Sequence, residues 1–331
     1  MIRIDLVTGF LGAGKTTFLK LYAKYLIGQG MHIGILENDY GAVNVDMMLL
    51  QDLEGENCTL EMVSGGCDRD CHRRRFKTKL IAMGMSGYDR VLVEPSGIFD
   101  VDEFFDALYE EPLCRWYEIG NVFAVVDAKL TMDLSEQSMF FLASQIANAG
   151  RVILSRSQNV GVEDMQQTIS YMNYVLETFR CERRFNDDEL FNRPVASNKI
   201  ARANRVVCKD WSLFTEEDYE IFLKCGYVAE AYRKDFSDNK GYTSLYFMNG
   251  NFSKIQINNM MKKLFSNKDC GNIIRVKGFF LEDGLWYEVN GTSKELSIKP
   301  VDRGQSIIIL IGEDMNRIHI EDIFGMRANT L

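Results

Sequence analysis

The chain has 331 residues, which is long enough for two domains with buried cores. Hydrophobic residues make up 46% of it and its net charge is −9, values that fit a globular protein and argue against binding of nucleic acid through phosphate neutralisation. No apolar run approaches the roughly 20 residues of a membrane helix, and residues 1–8 resemble a strand more than a signal peptide, so we expect a cytoplasmic protein that contacts neither nucleic acid nor membrane.

The first half of the chain alternates between short apolar segments and longer amphipathic ones. A helix with one apolar face is predicted at residues 16–27. Strands that alternate with helices pair in parallel through crossovers, so we expect an α/β domain with a mainly parallel sheet. Ligands of such sheets bind at the carboxyl ends of the strands. The apolar segments predict strands at residues 2–8, 32–36, 90–94, 121–127 and 151–154.

A glycine-rich loop follows the first predicted strand directly. Residues 9–16 read Gly-Phe-Leu-Gly-Ala-Gly-Lys-Thr and fit the pattern Gly-x-x-x-x-Gly-Lys-[Ser/Thr] at every fixed position. The glycines let successive N–H groups point at phosphate oxygens, and the helix that follows turns its positive end to the same anion. We expect Lys15 to bridge the β- and γ-phosphates and Thr16 to give its hydroxyl to Mg²⁺. The predicted nucleotide-binding residues are Gly9, Gly12, Ala13, Gly14, Lys15, Thr16 and Thr17.

Acidic residues end two further predicted strands. Glu94 closes an apolar strand and precedes Pro-Ser-Gly97, a position where a carboxylate holds or orients the Mg²⁺ shell beside such a loop. Gly97 is expected to supply an N–H group to the γ-phosphate. Asp39, after the second strand, is expected to orient the attacking water or a Mg²⁺-bound water. The alternative is that Glu94 is an ordinary polar residue at a strand end.

The C-terminal part of the chain has a different pattern. Thr215 and Asp218 have capping-box spacing at the start of a predicted helix, and Ser253 is placed to cap another. Strands are predicted at residues 245–248, 273–281, 285–289, 297–299 and 306–311, followed by a helix at 316–324. We therefore divide the chain into a nucleotide-binding domain at 1–185, a connecting segment at 186–240 and a small α+β domain at 241–331.

With these motifs, the chain resembles the CobW-like family of P-loop GTPases, which are metal-trafficking proteins related to the urease and hydrogenase accessory GTPases. The resemblance implies a G domain followed by a smaller α+β domain. It also implies Mg²⁺-dependent binding and hydrolysis of GTP, coupled to delivery of a metal or a cobalamin-type metallo-cofactor to a client protein. Residues 37–46 and 64–75 would form the switch. The similar segments are residues 9–17, Glu-Asn-Asp-Tyr-Gly at 37–41, Glu-Pro-Ser-Gly at 94–97, Val-Val-Asp-Ala at 125–128 and Ile-Arg-Val-Lys-Gly-Phe at 274–279.

The segment that should read guanine departs from the family. The family pattern Asn-Lys-x-Asp is replaced by Ser-Arg-Ser-Gln at residues 155–158. The carboxylate that accepts from the guanine N–H groups is missing, and Gln158 can accept only one such bond without charge assistance. ATP binding therefore stays open beside GTP, and residues 195–198 are another segment that could contact the base.

The metal motif of the family is also altered. Its Gly-Cys-x-Cys-Cys becomes Gly66-Cys-Asp-Arg-Asp-Cys-His72 here. Cys67, Cys71 and His72, with Glu37 as a fourth ligand, could bind Zn²⁺ or a similar transition metal. Two reduced thiols without a metal are an equal alternative, because Cys-x₃-Cys is a weak signal.

Two other functions share the phosphate-binding loop. A P-loop kinase would phosphorylate a small molecule and would need a substrate pocket and a mobile arginine-bearing lid. A nonhydrolysing scaffold would bind nucleotide while holding a metalloenzyme partner. The resemblance at both ends of the chain favours a hydrolase over the kinase.

Overall fold

The computed structural model describes residues 1–39, 45–64, 69–186, 205–232 and 242–329. The chain forms two compact units, one made of residues 1–40 and 50–236 and the other of residues 41–49 and 237–331. The described strands are β1 (Ile2–Gly9), β2 (Ile33–Asp39), β3 (Cys58–Ser64), β4 (Arg90–Pro95), β5 (Tyr117–Asp127), β6 (Arg151–Ser155), β7 (Val206–Val207), β8 (Tyr242–Met248), β9 (Asn272–Glu282), β10 (Leu285–Gly291), β11 (Leu296–Val301) and β12 (Ile307–Glu313). The described α-helices are α1 (Lys15–Gly28), α2 (Val45–Leu50), α3 (Arg69–Gly84), α4 (Val101–Tyr109), α5 (Leu113–Trp116), α6 (Glu136–Ala147), α7 (Val162–Thr178), α8 (Glu216–Leu223), α9 (Lys254–Ser266) and α10 (Arg317–Phe324).

The first unit contains a seven-stranded sheet in the order β3-β2-β4-β1-β5-β6-β7. Every pairing in this sheet is parallel, so all the carboxyl ends meet at one edge. The predicted α/β class with a mainly parallel sheet is confirmed. The five strands predicted from the first half of the chain are present, and β3 and β7 are additional. The loops that follow β1, β2 and β4 therefore lie side by side, with β1 at the centre.

Helix α1 packs its apolar face onto this sheet. Phe18 and Tyr22 each lie with their ring centroid 5.2 Å from that of Phe123 on β5, in edge-to-face geometry. Burial of one such side chain contributes about 1.5–3 kcal/mol, so this contact fixes the helix that follows the phosphate-binding loop. Helix α8 begins with the predicted capping box, in which the backbone N–H of Thr215 donates to Asp218 Oδ2 at 2.7 Å.

A buried polar cluster lies at the opposite, amino end of the central strands. Arg90 Nη1 donates to both carboxylate oxygens of Asp5, and the Tyr22 hydroxyl donates to Asp5 Oδ2 at 2.9 Å. The backbone N–H of Asn121 donates to Asp5 Oδ1 at 2.7 Å. Burial and the Asp5 charge raise the pKa of Tyr22, so its hydroxyl stays protonated and available as a donor. These bonds tie β1, β4, β5 and α1 together.

The second unit contains an antiparallel five-stranded sheet in the order β11-β10-β9-β12-β8. Helices α9 and α10 pack on one face of it, and Ser253 and Gln256 form the capping box of α9. Lys277 on β9 donates to Asp46 Oδ2 at 2.9 Å, an almost buried ion pair that joins segment 41–49 to this sheet. Burial and the Asp46 charge raise the pKa of Glu288 on β10. The predicted α+β character of the C-terminal part is confirmed.

Among the residues that the structure describes, no helix combines the length and the apolar content needed to cross a bilayer.

Candidate nucleotide-binding site

The loop between β1 and α1 has the geometry of a phosphate cradle. Gly14 is the N-cap residue of α1 and has φ 97°, in the left-handed region that a side chain disfavours. The backbone N–H of Ala13 donates to the carbonyl of Phe10 at 3.2 Å, which curls the loop. Lys15 is buried at the start of α1, whereas Thr17 is exposed. The loop therefore presents backbone N–H groups and one lysine at a helix N-terminus, where anions bind.

Thr16 and Glu94 meet although they are 78 positions apart in sequence. Strand β4 pairs with β1, which brings the end of β4 beside the start of α1. Thr16 Oγ1 donates to Glu94 Oε1 at 2.9 Å. A hydroxyl and a carboxylate are oxygen donors of the type that Mg²⁺ prefers, so these two residues fit a Mg²⁺ ion beside the phosphates. The sequence predicted both residues for this task.

Glu37 lies beside Glu94 in the sheet. The two are register partners on β2 and β4, and their exposed fractions are 2% and 3%. Two carboxyl groups buried on neighbouring strands favour a cation, because an opposite charge nearby stabilises the ionised form of a buried carboxyl group. Asp39 is the last residue of β2, but its side chain lies outside what the structure describes.

Gly97, the predicted γ-phosphate contact, packs against the phosphate-binding loop. A Cβ atom at position 97 would lie 2.7 Å from the backbone nitrogen of Leu11 and 2.8 Å from its Cα. Only glycine allows this approach. The loop after β4 is therefore pressed against the loop after β1.

Two residues, one after β6 and one after β7, make contacts that no sequence pattern predicted. Arg156 has φ 56°, its Nη1 donates to Asp127 Oδ2 at 2.7 Å, and its Nη2 donates to the carbonyl of Gly12 at 3.2 Å. Trp211, after β7, donates from Nε1 to the carbonyl of Leu154 at 3.0 Å, and its ring lies 3.4 Å from where a Cβ of Gly14 would be. Arg156 stands where the family pattern Asn-Lys-x-Asp has its lysine, and this basic residue was the only sequence signal of the Arg156 contacts. No sequence pattern indicated the contact of Trp211. The alternative segment at 195–198 lies outside the described residues.

The structure describes only part of the predicted transition-metal site. Cys67 falls outside the described residues, Cys71 is half-buried on α3, and His72 and Glu37 are buried. Within the described part of the chain, no three His, Cys, Asp or Glu side chains are grouped closely enough to hold a metal ion. Cys71, His72 and Glu37 are therefore not grouped as three ligands, and the four-ligand site with Cys67 stays a prediction.

Curated relatives of the chain are metal-handling proteins. The zinc chaperone YjiA of Escherichia coli (strain K12) is 29% identical over 182 residues, which are 52% of this chain and 55% of that protein. The chain thus spans about half the length of this relative. The zinc-regulated GTPase metalloprotein activator 1 of Schizosaccharomyces pombe (strain 972) is 22% identical over an alignment of 351 residues, covering 96% of this chain and 84% of that protein.

A solved structure and a family description complete the comparison. The crystal structure of Zn(II)-bound YjiA GTPase from E. coli aligns over 98% of this chain and 99% of that chain, with 17% identity and a TM-score of 0.35. Residues 3–185, more than half of the chain, match the family described as CobW/HypB/UreG, nucleotide-binding domain. The chain therefore belongs to the CobW/HypB/UreG family of P-loop GTPases, as the motifs after β1, β2 and β4 led us to expect.

Proposed function

We propose that the chain binds and hydrolyses a Mg²⁺–nucleoside triphosphate, GTP or ATP, and that this cycle is coupled to delivery of a metal or a cobalamin-type metallo-cofactor. The hydrogen bond of 2.9 Å between Thr16 and Glu94, beside the buried Lys15, carries the proposal. It joins an oxygen donor of the phosphate-binding loop to the carboxylate at the end of β4. A glycine-rich turn that served only the fold would not require this pairing of a hydroxyl and a carboxylate.

Each group of residues in the proposed site has a separate chemical role. The backbone N–H groups of residues 9–17 and the Lys15 ammonium group bind the phosphates, and the N–H group of Gly97 contacts the terminal one. Thr16 and Glu94 hold Mg²⁺, either directly or through water, and bound Mg²⁺ neutralises negative charge on the phosphate oxygens. Asp39 orients the attacking water. Catalysis then rests on positioning and on stabilisation of charge, as phosphoryl transfer requires.

The cargo in this proposal is a transition metal such as Zn²⁺. Cys67, Cys71, His72 and Glu37 supply sulfur, nitrogen and oxygen donors of the kinds that bind Zn²⁺. Thiolates bind this ion far better than the hard Mg²⁺ of the phosphate site, so the two metals do not compete. Glu37 lies beside Glu94 on neighbouring strands, which makes it the natural connection between the two sites. A metalloenzyme or cofactor-dependent client would receive the metal.

The coupling is tested by titrating Zn²⁺ against a competing chromophoric chelator, with a GTP analogue, with GDP and without nucleotide. We expect micromolar or tighter binding that changes about 5–150-fold with the nucleotide, the usual range of coupling between sites. By linkage, Zn²⁺ must change the nucleotide affinity by the same factor. The site variant is Cys67→Ser/Cys71→Ser, and Cys114→Ser, which also removes a half-buried thiol, is the matched control. Binding that survives the double substitution, or no binding at all, would remove metal delivery from the proposal.

A further inference from the structure

Helix α6 holds the loop that follows β4 at two points. Gln145 Nε2 donates to the carbonyl of Gly97 at 3.1 Å, and Ser144 Oγ donates to Asp100 Oδ1 at 2.8 Å. Tyr232 donates to the same Asp100 oxygen at 2.9 Å. Burial and the negative charge of Asp100 raise the pKa of Tyr232, so this phenol remains a donor throughout the physiological range. The loop between Gly97 and Asp100 is thereby fixed to α6.

Gly97 is fixed from its other sides as well. The backbone N–H of Ser96, the residue before it, donates to the carbonyl of Asn38 on β2 at 2.9 Å. The Cα of Gly97 faces the backbone of Leu11, closely enough to exclude any side chain at position 97. Gln145 completes this arrangement by holding the carbonyl of the peptide that follows Gly97. The Gly97 N–H group belongs to the peptide between Ser96 and Gly97, and these two bonds hold the peptides on either side of it, which restricts the direction of that N–H group.

Packing does not account for a glutamine at position 145. The side chain is completely buried, and its Oε1 has no hydrogen-bond partner among the residues that the structure describes. A buried acceptor without a donor costs free energy of folding. Methionine fills a similar volume without any unmet polar atom, so stability alone would favour it. The contribution that remains for Gln145 is the bond to Gly97.

We propose that Gln145 is a positioning residue. By holding the Gly97 carbonyl, it orients the Gly97 N–H group toward the γ-phosphate and so lets the site distinguish a nucleoside triphosphate from a diphosphate. The inference rests on the proposed function, since it needs the Gly97 N–H group to contact that phosphate. A donor that is already oriented binds an anion without the cost of ordering the loop. The β-phosphate is held by the loop after β1, so affinity for a diphosphate does not depend on Gln145.

The test compares wild type with Gln145→Met in binding of guanosine 5′-(β,γ-imido)triphosphate and GDP, and of their adenine counterparts, in the presence of Mg²⁺. We expect affinity for the triphosphate analogues to fall about tenfold, the scale of one hydrogen bond, while affinity for the diphosphates stays within about twofold. Gln167→Met, an exposed glutamine on α7, is the control and should change neither affinity.

A second variant separates hydrogen bonding from packing. Gln145→Glu keeps the size of the side chain, and burial raises the pKa of a carboxyl group, so lowering the pH returns a protonated donor to Gly97. Preference for the triphosphate should therefore recover, relative to wild type at the same pH, as the pH falls. Equal losses for triphosphate and diphosphate, or no change in either, would overturn the inference. Failure of the proposed function is distinguishable, because wild type would then bind neither nucleotide.

Discussion

Glu37 and Glu94 show how folding places charge at the site. Neighbouring strands hold their carboxylates in register and almost completely buried. Burial of two carboxyl groups costs free energy of folding. The phosphate-binding loop offsets this cost, because it brings the Thr16 hydroxyl to Glu94 and the buried Lys15 ammonium group to the same edge of the sheet. A carboxylate that meets a hydroxyl group at this edge of the sheet can hold a metal ion or orient water.

Substitutions that keep shape and remove charge test this at the level of residues. We expect Glu94→Gln and Asp39→Asn to lower the turnover number by about a hundredfold or more and to weaken nucleotide binding much less, because both residues act mainly in the transition state. Phosphate release and equilibrium binding of a nonhydrolysable analogue measure the two effects. Glu163→Gln, an exposed glutamate on α7, is the matched control. Equal losses in turnover and binding would assign these residues to ground-state binding, and full activity would exclude them from the site.

The loop after β6 is the segment that we expect to contact the base. Arg156 joins three elements of the first unit, because its guanidinium group contacts the end of β5 at Asp127 and the phosphate-binding loop at Gly12. The loop is therefore held in place although its sequence departs from Asn-Lys-x-Asp. The hydroxyls of Ser155 and Ser157 are buried without a hydrogen-bond partner among the described residues. A hydroxyl both donates and accepts, so these groups suit either purine.

We expect weak selectivity for guanine at this element. Affinities for GTP and ATP should lie within about two orders of magnitude of each other, since no carboxylate is left unpaired by the wrong base. Gln158→Asp restores the missing acceptor, and it should raise the preference for GTP about tenfold, the value of adding charge to one hydrogen bond. Calorimetric titration of both nucleotides measures these ratios. A preference for GTP above about a thousandfold in wild type would show that another segment reads the base.

Local patterns could predict some elements and not others. Strand β4 is buried at every residue, and its apolar run stands out in the sequence. Strand β3 is harder, because Glu61 and the exposed Met62 interrupt its pattern, and β7 has only two residues. The phosphate-binding residues follow from one contiguous motif. Contacts such as Gln145 to Gly97 and Arg156 to Gly12 join residues 48 and 144 positions apart, and no local spacing encodes them.

At the scale of the whole molecule, the nucleotide site belongs to one unit. The phosphate-binding loop, Glu94, Gly97 and Arg156 all lie within residues 1–40 and 50–236. The second unit has its own sheet and core, and it includes segment 41–49, which follows β2 and is joined to β9 by the ion pair of Asp46 and Lys277. In the proposed cycle, delivery of the metal depends on nucleotide binding by the first unit.

The most direct measurement is calorimetric titration of Mg²⁺–GTP and Mg²⁺–ATP into wild type, Lys15→Ala and Lys24→Ala. Lys24 is an exposed lysine on the same helix and serves as the control. A charge-assisted phosphate contact contributes about 1.5–3 kcal/mol, so we expect wild type and Lys24→Ala to bind alike and Lys15→Ala to lose at least about tenfold in affinity with its fold intact. Affinity for both nucleotides that is unchanged in Lys15→Ala, or no binding by wild type, would contradict the assignment of a nucleotide site.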